Sequence, residues 1–233
     1  MSIRTSLCMI PLLAAGVAGA ELRFGFEQGL DDWRVVEGHF GAFHCRRDVY
    51  HHYGGPYRKE GHCFLSTLES PDGRPDDSYT GVAESPAFRL EGPSVRFMVG
   101  GGNHPNTYVA ICRLDGSEVR QGQGRCHQEM VDVVWDLPEL VGQVVFLRIA
   151  DGHTGGWGHV TLDDVRVQGR LDPEATARHW ATRQPLLPAL LAMSPPKPAL
   201  PRHELPSSGS PASLRAAVHD LQAVFGVRYP DGE

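Results

Sequence analysis

Between Glu21 and about Gln168 the chain alternates apolar and polar residues with a period of two. "LRFGFE" (Leu22–Glu27) does so from the start. "PSVRFMVGG", "TYVAICRLDG", "MVDVVWDL", "QVVFLRIAD" and "HVTLDDVRV" follow, rich in Val, Ile, Phe and Tyr and set apart by Gly, Pro, Asn or Asp. Side chains of a strand point alternately to its two faces, so each run predicts a half-buried strand. No helical period of useful length interrupts them. Short strands joined by turns, without intervening helices, predict an all-β antiparallel β-sandwich of jelly-roll type over residues 21–169.

The pattern changes after Gly169. "LDPEATARHWATRQ" predicts a short helix, with Asp172 as N-cap, Pro173 at the first position and Glu174 near the positive end of the dipole. The Pro/Ser-rich text that follows has nothing to build a core with, so residues 170–210 read as a short helix and linker. Leu214, Val218, Leu221 and Phe225 then recur at helical spacing, which predicts a helical stub over 211–233. It reads as the first helix of a further domain, the alternative being that it docks back on the sandwich.

At the other end, Arg4 precedes the apolar run "LCMIPLLAAGVAG", and "AGA" closes it at Ala20. The run is short for a membrane span and has the small-residue ending of a cleavage site. Residues 1–20 therefore predict a signal peptide and a secreted or periplasmic product, with no membrane attachment after cleavage. A net charge of −6 without a basic run argues against nucleic acid. Export also changes the meaning of Cys45, Cys63, Cys112 and Cys126, an even number in an oxidising compartment. Each neighbouring pair flanks a turn-rich segment. The favoured pairings are Cys45–Cys63 and Cys112–Cys126, each contributing ~3 kcal/mol if formed.

Five stretches, in order, resemble a known module: "FGFEQGLDDWRVVEGHF", "GHCFLSTLE", "TGVAESPAFRL", "VRFMVGGGNHPNTYVAI" and "VVWDLPELVGQVVFLRIADGHTGGWGHVTLDDVRV". They are similar to the galactose-binding-like jelly roll appended to family 32 glycoside hydrolases of the levanase and fructanase type, and to modules of large exported bacterial proteins. Val99–Pro105 and Asp151–His159 are the most specific pieces. The resemblance implies a non-catalytic carbohydrate-binding or docking role. The long His-rich loop "HCRRDVYHHYGGPYRKEGHC" departs from the pattern and leaves ligand specificity open.

The candidate ligand-binding residues are Asn103, His104, His153, Trp157 and His159, on two Gly-rich loops that form one polar rim if they meet. Gly155, Gly156 and Gly158 permit positive φ angles and a tight corner at which the chain enters its last strand. Trp157 between them either caps the open end of the sandwich or offers a face on which a sugar ring stacks. Such jelly rolls often carry a structural calcium, so the resemblance also implies metal ligands in Glu27, on the first strand, and Asp163 or Asp164, on the last. A solvated carboxylate pair is the other reading. The cluster His39, His44, His51, His52 and His62 lacks the spacing of a metal motif, and "GRCHQ" lacks the first Cys of a haem motif. No GxSxG, no paired strand-end carboxylates and no phosphate-cradling loop before a helix are present, so no enzymatic activity is expected. The partner is therefore expected to be carbohydrate or, alternatively, an adjoining domain on which the module packs without binding sugar.

Overall fold

The alternating runs form eleven strands among the described residues, 21–51 and 54–183 of this computed structural model, and every pairing is antiparallel. The strands are β1 (Glu21–Phe24), β2 (Arg34–His39), β3 (His44–Cys45), β4 (Phe64–Ser66), β5 (Thr80–Glu84), β6 (Phe88–Gly101), β7 (Thr107–Arg113), β8 (Glu118–Gly122), β9 (His127–Asp136), β10 (Val144–Asp151) and β11 (Val160–Leu171). They make one sheet curled into two facing layers, a β-sandwich. The front layer runs β2-β5-β10-β7-β8. The back layer has β6 between β9 and β11, with β4 and β1 sharing the far side of β11 and β3 outside β4. Phe88–Leu90 at the start of β6 pairs with both β10 and the end of β11, and so joins the layers.

The inward residues fill the space between them. Phe24, Phe26, Trp33, Phe97, Leu90, Ile111, Trp135, Leu147, Leu162 and Val165 are all essentially without solvent contact. Trp33 meets Phe24 and Phe26 edge-on at 6.1 Å in both cases, and Phe97 meets Trp135 at 4.7 Å, geometries that favour the ring quadrupoles.

Two outer faces are covered as well. On the back layer, Cys45, Tyr57, Phe64 and Met130 form a second cluster under the loop that joins β3 to β4, and the Met130 amide donates to the Tyr57 carbonyl. On the front layer, Ala110, Cys112 and Phe146 form a third, beside the buried His179 and Trp180 of helix α1 (Pro173–Arg183). Asp172 caps this helix by accepting the Ala175 amide. The expected helix therefore packs on the sandwich. No helix among the described residues is long and apolar enough to cross a membrane. Residues 1–20, the linker after Arg183 and the stub at 211–233 lie outside the described residues, as does His52.

Neither expected disulfide is present: the four cysteines are free thiols. Cys112 lies opposite Phe146 in the far half of β7, whereas Cys126 donates to Asn103 beyond the near end of that strand. Five residues of strand, ~17 Å, separate the two levels, far beyond disulfide reach. Cys45 faces Phe64 across the β3–β4 ladder and shares its cluster, while Cys63, the buried residue before β4, is not part of that cluster.

Helix α1 is fastened by charge. Glu84 is fully buried, and its carboxylate meets Arg148 (2.8 Å), Arg183 (2.9 Å) and His179 (2.9 Å). Burial pushes the Glu84 carboxyl up, but His179, Arg148 and Arg183 more than offset it and hold the group below the usual range. Replacing Glu84 with Ala leaves these bases facing each other without an anion. We expect Glu84→Ala to cost about 3–5 kcal/mol in urea unfolding. A cost under about 1 kcal/mol would show that the network contributes nothing to the docking of α1.

Candidate functional site

The two Gly-rich loops meet. The Gly102 amide donates to the His159 carbonyl at 2.9 Å, and a Cβ on Gly102 would stand 1.8 Å from the Trp157 carbonyl oxygen. Only glycine permits that approach. The corner itself is built differently from expectation. Gly155, Gly156 and Gly158 all have negative or extended φ; Trp157 takes the left-handed conformation, at φ 64°. Gly158 is needed for closeness, since a Cβ there would meet the His153 carbonyl at 2.1 Å.

His104 and His153 stack at 3.6 Å between ring centroids, and His104 Nε2 lies 3.2 Å from the Gly156 carbonyl. Asn103 accepts the Cys126 thiol proton. These three residues brace the rim. Trp157 and His159 line a cleft of about 470 Å³ together with Tyr50, His51, Asp77, His127 and Gln128. Trp157 is 37% exposed and lies over His159, which is 2% exposed, at 5.7 Å between centroids. The cleft thus forms where the β3–β4 loop, the start of β9 and the Trp157 corner converge. Sequence reasoning missed its other walls: Tyr50 enters only as part of the long His-rich loop, His51 only within the histidine cluster, and His127 and Gln128 only as part of "GRCHQ".

The histidines of the long loop have other partners. His44 Nε2 bonds the Phe26 carbonyl at 2.7 Å, and His51 Nε2 sits 2.9 Å from the buried Glu69 carboxylate. His39 lies edge-on to Tyr79. No group of three or more His, Cys, Asp or Glu side chains arranged to hold a metal occurs among the described residues. Burial raises the Cys45 and Cys112 thiols to about 12, which suppresses the thiolate.

The expected calcium ligands separate into two groups. Asp164 sits at a bulge of β11, ion-paired with Arg23 (2.7 Å) and Arg166 (2.8 Å), and its oxygens are occupied by these cations. Asp163 is fully buried and accepts the Glu60 amide at 2.7 Å, while Glu27 accepts the His62 and Cys63 amides. Both carboxylates therefore hold the same loop segment, residues 60–63. Burial first, and then the neighbouring Asp164 and Glu27, push the Asp163 carboxyl up to about 7, against the backbone amides that lower it. Asp163 also accepts the Asp164 amide, so both its oxygens, like Oε1 of Glu27, are met by backbone N–H groups; Glu27 and Asp163 are the two expected ligands that share one loop.

No family model matches the chain. Over 89 residues it is 30% identical to an Aspergillus rugulosus protein, ecdE, whose name describes it as a glycosyl hydrolase. That match spans 38% of this chain and 13% of the relative, so the chain corresponds to a small part of that protein's length. Among solved structures it is similar to the K1 cleaved adhesin domain of Lys-gingipain from Porphyromonas gingivalis W83, at 17% identity and a TM-score of 0.38, over 64% of this chain and 98% of that one. For the K3 domain of the same protein the values are 16%, 0.39, 64% and 98%.

Beside the rim, Asp151 is buried at the end of β10 and accepts the Thr67 hydroxyl proton, while Thr67 Oγ1 accepts the Val160 amide at 2.9 Å. Burial, with a smaller contribution from the Asp77 charge, raises the Asp151 carboxyl to about 7 against the bonds from Thr67 and His153. The folded protein then holds a proton that the unfolded chain releases near pH 4. Because the native state binds more protons across that interval, stability contributed here falls as pH rises from about 4 to 7. We expect Asp151→Asn, which keeps an acceptor for Thr67, to be more stable than wild type at pH 7.5, with the gap closing at pH 4.5. Urea melts at the two pH values check this; an equal effect at both would refute it.

Proposed function

We propose that the chain is an exported, non-catalytic recognition module that binds carbohydrate in the cleft walled by Trp157, Tyr50, His127 and Gln128. The observation that carries this reading is Trp157. An indole more than one-third exposed, on a left-handed backbone that costs a bulky residue about 1 kcal/mol or more, is poorly explained by packing. As one wall of a cleft with several polar side chains, it suits a sugar: the ring face stacks on the apolar face of a pyranose or furanose, and the polar groups pair with hydroxyls. The resemblance to modules appended to family 32 glycoside hydrolases supports the same assignment. With one stacking residue and a few hydrogen bonds, single-site affinity is expected to be weak and to gain from multivalent display.

Calcium belongs to this proposal as a structural ion held by Glu27 and Asp163 with backbone carbonyls of the adjoining loop. Glu27 lies in the turn after β1 and not on the first strand as expected, so an ion bound there would neutralise a buried carboxylate and tie that turn and β11 to the loop that walls the cleft.

Two measurements test the reading. The chain without its first 20 residues, on a glycan array, is expected to bind glycans reproducibly, and Trp157→Ala is expected to abolish binding with an unchanged circular dichroism spectrum. A blank from a well-folded sample would transfer the assignment to a docking module for an adjoining domain. Saturating calcium, compared with a chelator, is expected to raise the melting temperature by about 5–10 °C in wild type and not in Asp163→Asn. No shift in wild type would remove calcium from the proposal.

A further inference from the structure

The charge of the cleft is one-sided. Asp77 Oδ1 lies 2.6 Å from Nδ1 of His159, and Oδ2 has no hydrogen-bond partner among the described residues. That second oxygen is open to solvent: the Asp77 side chain is 26% exposed and borders the cleft. Among the described residues, no Lys or Arg pairs with this carboxylate and none lines the cleft. Glu69, behind His51, is the contrast. It is buried, and Arg47 already answers its charge at 3.5 Å. Asp77 is therefore a carboxylate that a ligand can reach and that lacks a strong base of its own.

The other walls suit the same kind of guest. Five of the ten lining residues carry rings, namely Tyr50, His51, His127, Trp157 and His159. An aromatic face attracts a cation laid over it, and the indole does so most strongly. Trp157 presents a face that is 37% exposed and lies over His159, while Asp77 meets the edge of that same ring. The indole and the free carboxylate oxygen thus flank one buried side chain. In a cleft partly closed to water both attractions exceed what they would be on an open surface. A bare divalent ion would need several more oxygen ligands, and no group of three or more metal-holding side chains occurs among the described residues. An organic ammonium, served by one carboxylate and a ring face, needs no more than is present.

We propose that the cleft selects an amino sugar, whose ring stacks on Trp157 while its ammonium substituent donates to Asp77 Oδ2. Sugars bearing a carboxylate or sulfate in that position are repelled. The inference rests on the carbohydrate reading for the sugar ring; the preference for a cation rests on Asp77 and the aromatic walls.

Tryptophan fluorescence of the chain without its first 20 residues reads binding at the cleft, because Trp33, Trp135 and Trp180 are buried and Trp157 is exposed. The ligands are methyl 2-amino-2-deoxyhexopyranosides of the gluco and galacto series, their N-acetyl forms, the parent methyl hexopyranosides, and Nα-acetyllysine amide, which offers an ammonium without a sugar. At neutral pH the free amines are mostly ammonium. One amino sugar is expected to bind about tenfold tighter than its two neutral counterparts. That lead is expected to vanish in Asp77→Asn and to shrink when salt is raised about tenfold. Lysine amide is expected to bind more weakly than the amino sugar and to lose binding in Asp77→Asn. Equal affinities for charged and neutral sugars in wild type overturn the cation preference and leave recognition standing, a comparison that needs no variant to fold. A lead that persists in a folded Asp77→Asn overturns the role of Asp77. Binding of lysine amide without binding of any glycoside overturns the carbohydrate reading and keeps the cation site, and no binding by any of these ligands overturns both.

Discussion

The cleft depends on two backbones lying closer together than side chains allow. Gly100, Gly101 and Gly102 at the end of β6 run against the Thr161 hydroxyl, the His159 carbonyl and the Trp157 carbonyl respectively, and a Cβ at any of them would stand within 2.6 Å of one of these atoms. This contact aligns the start of β11 with the end of β6, and that register places His159 beneath Trp157 and beside Gln128 of β9. Any residue larger than glycine would push the corner outward. The contacts of His159 with Asp77 (2.6 Å) and Gln128 (3.0 Å) would then lose the placement that hydrogen bonds require.

The outer faces explain a second feature of the fold. β11 is buried on both sides over its first four residues: Val160 and Leu162 face the core, while Thr161 and Asp163 are also without solvent contact, with Asp163 bonded to the amide of Glu60 in the long loop. A sandwich with bare outer faces would leave Cys112 and Phe146 on one layer and Met130 and Phe64 on the other in water. The loop on one side and α1 on the other remove that apolar surface, and both are pinned through buried carboxylates. Carboxylates do the fastening because each reaches several backbone amides or cations at once, where an apolar contact would fix position less sharply.

Much of this was legible in the sequence. Alternation located the long strands, because a period of two across 8 to 14 residues has no competing helical explanation. Asp172, Pro173 and Glu174 announced α1 by their order. The meeting of the two Gly-rich loops was readable as a condition, and glycine runs were the signal. What stayed hidden was what alternation does not encode. Tyr50 and His51 reach the cleft through a loop whose path is set by packing on Met130 and Phe64, far away in sequence. The cysteines misled because spacing along the chain says nothing of where each thiol sits in the folded sheet: Cys112 and Cys126 lie at different levels of β7. Trp157 misled in a subtler way: three glycines beside it drew the expectation of positive φ, and the tryptophan carries it instead.

That last detail bears on how the protein has been shaped. A left-handed tryptophan is a small, standing loss of folding free energy, and glycine or asparagine at the same place would recover part of it. The corner therefore combines a strained backbone with an exposed indole face. Replacing Trp157 with glycine would relax the corner and take the exposed aromatic face out of the cleft wall, so steadiness of the backbone and shape of the cleft are opposed at this one position.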